Sequence, residues 1–232
     1  MQFVLIIAFI AVAGVLAYYG WQAAKKRREA LAALADELGW QFRPEKDRAH
    51  DERYSHFEIF RRGHSRVAYN SLRGTLTVDV APCAAHMGDF CYRVTRGSGK
   101  SRSTSTYEFS YLIVHLPYMS LPDLLIRLEG MFDKLAGAFG FDDIDFESAE
   151  FSRRFYVRSP DKRFAYDVVH PRMMEFLLTT RPPCVDIEHG RCCLSDGEQR
   201  WEPAEFKAKA AWLEQFFSHW PLHLTETLDR SD

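Results

Sequence analysis

The chain has 232 residues, of which 27% are charged and 14% aromatic, and its formal net charge is −2. This composition is typical of a packed globular domain, and the near-neutral charge gives no reason to expect nucleic acid as a partner. The five cysteines are an odd set that includes two neighbours. They indicate no disulfide framework, which agrees with a reducing compartment.

The first segment, Met1–Trp21, is apolar and carries no charged side chain. Phe3–Trp21 would cover roughly 28 Å as a helix, close to the hydrocarbon thickness of a bilayer. Aromatic residues cluster at its end, and a basic run, Lys25–Arg28, follows at once. The sequence therefore predicts a single transmembrane anchor at 1–21, with the N-terminus outside and the remaining chain cytoplasmic.

A cleaved signal peptide is the alternative, because Ala11-Val12-Ala13 offers small residues at a plausible cleavage spacing. A secretory signal carries its basic residues before the apolar core, whereas here they come after it. The position of the charges favours the anchor.

Residues 22–39 predict a juxtamembrane helix that continues the span, since Gln22–Leu38 consists of strong helix formers and Gly39 follows as a stop. Leu31, Leu34 and Leu38 form a narrow apolar stripe on it. We expect this stripe to pack on the protein's own domain rather than to form a short coiled coil between two copies.

Residues 40–118 have β character, and we expect an antiparallel meander with Gly63 and Gly74 as turns. The predicted strands are Trp40–Phe42, Phe57–Phe60, Arg66–Leu72, Leu76–Val80 and Tyr107–Leu116. Between them, Arg93–Thr106 is rich in Gly, Ser and Thr and is predicted to be the most exposed and mobile segment.

Residues 119–232 mix helices and strands. Leu121–Phe139 predicts either one amphipathic helix or a strand at Leu124–Leu128 followed by a helix from about Gly130. The other predicted elements are a strand at Phe155–Val157, helices that start at Ser159-Pro160-Asp161 and at His170-Pro171, a hairpin around His189-Gly190, and a last helix from Pro203 to Pro221. The fold class is therefore α+β: a mainly antiparallel sheet with helices packed on it, in what we expect to be one continuous cytoplasmic domain.

Two stretches resemble bacterial single-pass membrane-anchored proteins of unknown function. In Asp143–Leu178 the matching residues are Phe151, Phe155, Val157, Asp161, Ala165, Pro171 and Met174, with His170 in place of the usual threonine. A second similar segment contains Gly63, Arg66, Asn70 and Gly74. The resemblance implies an anchored domain of the bacterial inner membrane, and it carries over no functional residues.

No motif for a reaction stands out. Gly97-Ser98-Gly99-Lys100-Ser101 ends like a phosphate-binding loop, but Val94 stands where that pattern needs glycine. A flexible basic loop explains it better.

Cysteine and histidine positions offer two half-sites for zinc, namely Cys83, His86 and Cys91, and later Cys184, His189, Cys192 and Cys193. The spacing is not that of a zinc ribbon, and strand alternation would send Cys192 and Cys193 to opposite faces. The acidic run from Asp142 to Glu150 lacks the pattern of a calcium loop. Pro221 breaks the helix that would align His219 with His223.

Nucleophile signals are equally weak, because Ser71, Ser110 and Ser120 lie in apolar or turn contexts, and a pairing of Cys83 or Cys91 with His115 cannot be read from sequence. We therefore assign no catalytic, cofactor or metal residue.

The sequence favours a non-enzymatic module that binds a protein partner or supports an assembly. The alternative is a binding domain for lipid headgroups or a small ligand, using the basic loop 93–102. The predicted contacts with an anionic surface are Lys25, Lys26, Arg27, Arg28, Arg93, Arg96, Lys100 and Arg102.

Overall fold

The computed structural model describes residues 2–118, 121–131, 143–221 and 224 of the chain. It begins with one unbroken helix, α1 (Gln2–Leu38), which ends as predicted at Gly39, where φ is +67°. The large apolar side chains described in its first half are exposed, from 82% at Phe3 to 53% at Val15. Within the described residues, α1 is the one helix long and apolar enough to cross a bilayer.

In the described part of the chain, eight strands and six further α-helices follow α1. The strands are β1 (Gln41–Arg43), β2 (His64–Val78), β3 (Ala81–Arg96), β4 (Ser103–His115), β5 (Leu124–Leu128), β6 (Phe155–Arg158), β7 (Cys184–Glu188) and β8 (Arg191–Ser195). The helices are α2 (His50–Arg53), α3 (Glu58–Arg61), α4 (Ala149–Arg154), α5 (Lys162–Val168), α6 (Pro171–Thr179) and α7 (Pro203–Ser218).

The strands form one sheet in the order β1-β2-β3-β4-β8-β7-β5-β6, and every neighbouring pair is antiparallel. The β4–β8 pair joins the strand-rich half of the sequence to the mixed half, with Ile113 opposite Cys193. This confirms the predicted α+β class: an N-terminal apolar helix followed by a mainly antiparallel sheet with helices.

The two faces of the sheet are covered differently. The second half of α1 and helices α5 to α7 cover one face, where Leu31 and Leu213 are fully buried. The prediction that the leucine stripe of α1 packs on its own domain is confirmed, since Leu34 is also buried and Leu38 packs against the same core. On the other face a smaller aromatic cluster from α2 and α3 covers β2, β3 and β4.

The strand predicted at Phe57–Phe60 is wrong, because this stretch forms α3, with Phe57 as its N-cap. A short apolar run does not by itself distinguish a strand from a buried helix. Phe57, Ile59 and Phe60 are all buried beneath the sheet, so burial in the aromatic cluster explains the run.

The turn predicted at Gly74 is also wrong, because β2 runs through it without a break. The glycine is needed for packing instead: a Cβ atom at Gly74 would lie 2.3 Å from Cγ of the Trp40 ring. The chain reverses later, at Asp79 and Val80, both of which have positive φ.

Strand β3 was not predicted, although it lies in the sheet between β2 and β4. Its first half, Ala81-Pro82-Cys83-Ala84-Ala85, has low β propensity, and pairing on both sides overrides that preference. The predicted loop Arg93–Thr106 is consequently shorter than expected. Its ends belong to β3 and β4, which leaves a tip at residues 97–102, hereafter the hairpin tip.

In the second half, the strand alternative at Leu124–Leu128 is confirmed as β5. The helix predicted from about Gly130 falls mostly on 132–142, outside the described residues. The strand at Phe155–Val157, the hairpin around His189-Gly190 and the two helices that open with Pro171 and Pro203 are confirmed.

Candidate functional site

A buried ion pair fixes α1 to the sheet. The Arg27 guanidinium donates to both carboxylate oxygens of Asp89 on β3, at 2.8 and 2.6 Å. The Asp89 side chain is completely buried, and that of Arg27 is 10% exposed. This bidentate geometry is the strong form of a charge-assisted hydrogen bond, and it fixes orientation as well as distance. The helix that carries the apolar segment is therefore held rigidly against the domain.

Three more residues complete this buried group, hereafter the Arg27 network. Asn70 on β2 and Ser110 on β4 donate to Asp89 at 3.0 and 2.8 Å. Arg27 also donates to the carbonyl oxygen of Trp201 at 2.9 Å, and the Trp201 amide donates to Ser110 Oγ at 3.0 Å. The network thus joins α1, three strands and the segment before α7 at one point.

Local backbone geometry aims Asn70 at this network. Asn70 has φ +51°, and it lies where the register between β2 and β3 shifts. A bulge of this kind redirects a side chain, and asparagine tolerates the left-handed region better than most residues. The buried amide can therefore reach the Asp89 carboxylate from the neighbouring strand.

A second polar group lies beside the network. Arg200 donates to Glu108 at 2.8 Å, and the Tyr69 hydroxyl donates to the other oxygen of Glu108 at 2.9 Å. Burial, with Asp89 adding to it, raises the pKa of Tyr69 far above its ordinary value. Glu108 is therefore held by two donors.

A cleft of about 520 Å³ opens above these groups, between α1 and the start of β2. We call it the interfacial cleft. Its helix wall is made of small residues, Gly20, Ala23 and Ala24, with Arg27 and Arg28 below them. The facing wall is formed by Pro44, Lys46, Val67, Tyr69, Asn70, Cys91, Glu108 and Arg200.

The apolar half of α1 and the hairpin tip leave the domain at the same end. After α1, Trp40 packs on Gly74 of β2, whereas Gly20–Ala24 face Val67 and Tyr69 on the same strand. Helix α1 and strand β2 therefore run side by side, with Trp21 and His64 at the same end. His64 pairs with Arg93 on β3, next to the hairpin tip.

Most of the predicted basic contacts lie at this end, with one correction. The side chains of Lys25, Lys26, Arg28, Arg93, Arg96 and Arg102 are exposed, and Lys100 lies in the hairpin tip. Arg27 was predicted to contact an anionic surface, and this is wrong, because the side chain is turned inward to Asp89. Helical periodicity explains the difference, since Arg27 shares the inward face with Leu31 and Leu34.

A second cavity, of about 460 Å³, lies on the opposite side of the sheet from the large core. This polar pocket is overhung by α3, and it lies over the part of that face that the aromatic cluster leaves open. Its floor includes Cys184, Asp186 and Glu188 of β7, and its lining also contains Arg61, Arg62, Arg127 and Arg158. Asp186 Oδ1 is buried and has no hydrogen-bond partner among the described residues.

Burial shifts the ionisation of several groups in the polar pocket. It raises the pKa of Glu188 to about 7, with a contribution from Asp123. Burial and the neighbouring Glu188 raise the pKa of Asp186 well above its ordinary value. Burial lowers the pKa of His56 to about 4, and Arg191 adds to that. Burial therefore favours the uncharged form of all three side chains.

Of the second predicted zinc half-site, Cys184, His189 and Cys193 line the polar pocket together, whereas Cys192 lies on the other side of the sheet. Cys192 belongs to the large core and Cys193 to the aromatic cluster, so the prediction that they point to opposite faces is confirmed. No group of three potential ligands that could hold a metal ion occurs among the described residues. Ser110 is bound within the Arg27 network, while Ser120 and His223 lie outside the described residues.

The sequence analysis assigned no role to Asp89, Asn70 or Arg200. Asp89 is one acidic residue in a stretch not assigned to a strand, and its partner Arg27 precedes it by 62 positions. The one available signal was the charge of Arg27 on the same helical face as the leucine stripe, because a cation on a buried face needs a partner.

No family model matches the sequence. No curated protein matches it either. The fold is similar to a solved structure, that of the mycobacterial trehalose monomycolate transport factor A, TtfA, with a TM-score of 0.55 at 11% sequence identity. The similarity covers 85% of this chain and 96% of that one. At this identity the likeness concerns the fold alone.

Proposed function

We propose that this chain is a single-pass protein of the bacterial inner membrane that holds an α+β domain against the cytoplasmic face and supports an envelope-associated assembly without catalysing a reaction. One observation carries the proposal: the helix with the exposed apolar segment is the same helix that Arg27 fixes to Asp89. A flexible tether would only concentrate the domain at the membrane, whereas a fixed helix also sets its orientation.

The exposed apolar segment supports the membrane part of the proposal. Side chains such as Phe3, Phe9 and Leu16 are more than 60% exposed. A soluble protein rarely exposes a continuous apolar surface of this size. The basic residues that follow, Lys25 to Arg28, favour the cytoplasmic side for the domain.

The fold supports the assembly part. A protein with a similar fold is named as a transport factor, and we extend to this chain an accessory role in envelope transport. The resemblance to anchored bacterial proteins of unknown function agrees with this role. Residues assigned to the proposed role are those that set the orientation of the domain, Arg27 and Asp89.

The experiment is affinity purification of the full-length chain from membranes in mild detergent, beside the variant Arg27→Gln and the exposed control Lys26→Gln. We expect a protein partner to copurify in near-equal amount with the wild type and the control, and in much reduced amount with Arg27→Gln, because the domain loses its fixed orientation. Recovery of lipid or a small molecule, with no protein in stoichiometric amount, would contradict the proposal.

A second candidate function is attachment of the domain to anionic lipid through the hairpin tip. The observation that favours it is that this basic tip leaves the domain at the same end as the apolar half of α1. Each basic residue near an anionic surface contributes about 1 kcal/mol. Hydrogen exchange of the full-length chain in nanodiscs tests it: anionic lipid should protect residues 97–102, and salt should remove that protection.

A further inference from the structure

We infer that the interfacial cleft binds the phosphate of an anionic phospholipid headgroup. The inference goes beyond the proposed function and rests on one part of it, namely that the first half of α1 spans the membrane. Four properties of the cleft support it: its depth, its shape, its charge and its internal hydrogen bonding.

The cleft lies at the depth of the headgroups. Gly20, Ala23 and Ala24 line it, and Trp21, an aromatic residue of the kind that marks the membrane interface, lies among them in sequence. Arg27 is about 9 Å further along the helix. A phospholipid can therefore place its headgroup in the cleft while its acyl chains stay in the bilayer.

The shape fits a headgroup. The volume of about 520 Å³ lies within the range of small-molecule sites, roughly 300–1,000 Å³. Its helix wall is small and apolar, whereas the opposite wall carries polar and charged side chains, among them Lys46. Such a wall pair matches an amphipathic ligand that keeps its glycerol against α1 and its phosphate towards the sheet.

The charges favour an anion. Arg28 and Lys46 lie on opposite walls of the cleft, both are exposed, and neither forms a hydrogen bond or ion pair with another described residue. Arg27 and Arg200, deeper in the cleft, are paired with Asp89 and Glu108, so the net positive charge is that of Arg28 and Lys46. Phosphate is recognised by arginine as a planar fork and by lysine as a point charge, so both kinds of donor are suited to it.

The acidic groups nearby do not oppose an anion, because each is already bound. Glu108 accepts hydrogen bonds from Arg200 and Tyr69, and Asp89 is held by Arg27, Asn70 and Ser110. The charged groups of the cleft that have no partner are therefore the hydrogen-bond donors of Arg28 and Lys46. A phosphate oxygen placed between Arg28 and Lys46 would accept hydrogen bonds from both side chains.

The test uses the full-length chain in nanodiscs that contain phosphatidylglycerol and phosphatidylcholine, followed by native mass spectrometry of the lipids that stay bound. The charge variant is Arg28→Gln with Lys46→Gln. Its matched control is Lys162→Gln with Arg163→Gln, two exposed residues on α5. The filling variant, Ala24→Leu, keeps every charge and occupies the space beside the helix.

We expect the wild type and the control to retain phosphatidylglycerol over phosphatidylcholine, and both test variants to lose this preference by about tenfold. Retention by Ala24→Leu equal to that of the wild type would overturn the inference, since simple surface attraction would then explain the binding. Equal loss in the control would overturn it as well. Displacement of the lipid by millimolar inorganic phosphate or glycerophosphate would assign the site to a soluble phosphate ester instead.

An alkaline wash of membranes separates this result from the proposed function. All variants should remain in the membrane, because none alters the apolar segment. A wild-type chain that remains in the membrane but shows no preference for phosphatidylglycerol contradicts the cleft alone. A wild-type chain that washes off contradicts both proposals.

Discussion

Arg27 and Asp89 are joined by two hydrogen bonds of 2.8 and 2.6 Å between a helix that begins in the apolar segment and the middle of a buried strand. The carboxylate is completely buried and the guanidinium nearly so. A buried pair of this kind contributes little net stability, but removal of one partner leaves the other charge uncompensated. The pair therefore makes the attachment of α1 specific.

Replacement of Arg27 by leucine should destabilise the domain by about 3–5 kcal/mol, because Asp89 stays buried without its countercharge. In a domain of this size that corresponds to a fall in Tm of about 6–20 °C. Thermal unfolding in detergent micelles measures it. The exposed control Lys26→Leu should have little effect. Asp89→Asn in the Arg27→Leu background should recover part of the loss, and a further loss would show that the charge is not the cause.

Removal of α1 as far as Gly39 should prevent the domain from folding. This truncation deletes Arg27 together with Leu31 and Leu34, which are buried against the core. Each leucine contributes about 1.5–3 kcal/mol by burial. A chain that begins at Gln22 keeps all three and should be soluble and folded. Size-exclusion chromatography and circular dichroism of the two truncated chains distinguish these outcomes, and a folded chain from Gly39 would contradict the importance of the contact.

The protein should lose stability in acid because of its buried histidines. Burial, with Arg73 adding to it, lowers the pKa of His86 to about 3, whereas the unfolded chain ionises near 6.5. Unfolding therefore takes up a proton below pH 6.5, and stability falls as the pH decreases from 6.5 towards 3. At pH 5 this proton uptake by His86 should lower the free energy of unfolding by on the order of 2 kcal/mol.

Chemical denaturation at pH 7 and pH 5 measures this effect. The variant His86→Gln should lose less stability than the wild type between the two pH values, because it has no proton to take up on unfolding. His64→Gln, at an exposed ring, should behave as the wild type does. A loss in His86→Gln equal to that of the wild type would assign the acid sensitivity to other groups.

The buried carboxyl groups of the polar pocket should have the opposite effect on how stability changes with pH. Burial and Glu188 raise the pKa of Asp186, and burial raises that of Glu188 to about 7. The folded state therefore holds protons that the unfolded state has released. As a result, the free energy of unfolding should fall as the pH rises through 7. Asp186→Asn removes the acidic proton, so its stability relative to the wild type should increase between pH 5 and pH 8.

Denaturation of Asp186→Asn beside Asp145→Asn, an exposed control, checks this. The control should show the same difference from the wild type at both pH values. A stability difference for Asp186→Asn that does not change with pH would mean that Asp186 ionises normally in the folded protein.

The sequence alone determined the parts of this protein that depend on local patterns. Four features carry their signals within a few residues: the apolar run before Trp21, the helix starts at Pro171 and Pro203, the hairpin at His189-Gly190 and the leucine stripe of α1. Helix termini, tight turns and amphipathic faces are short-range features, so their identity and their approximate position could be predicted.

The tertiary structure alone decided which residues form the site. β3 is a strand because neighbours pair with it on both sides, and Gly74 is needed because Trp40 lies against it. Arg27 lies in the interior because it pairs with Asp89, which is 62 positions later in the chain. Such contacts join segments far apart in sequence, and their energy depends on burial and on three-dimensional geometry, which no local pattern contains.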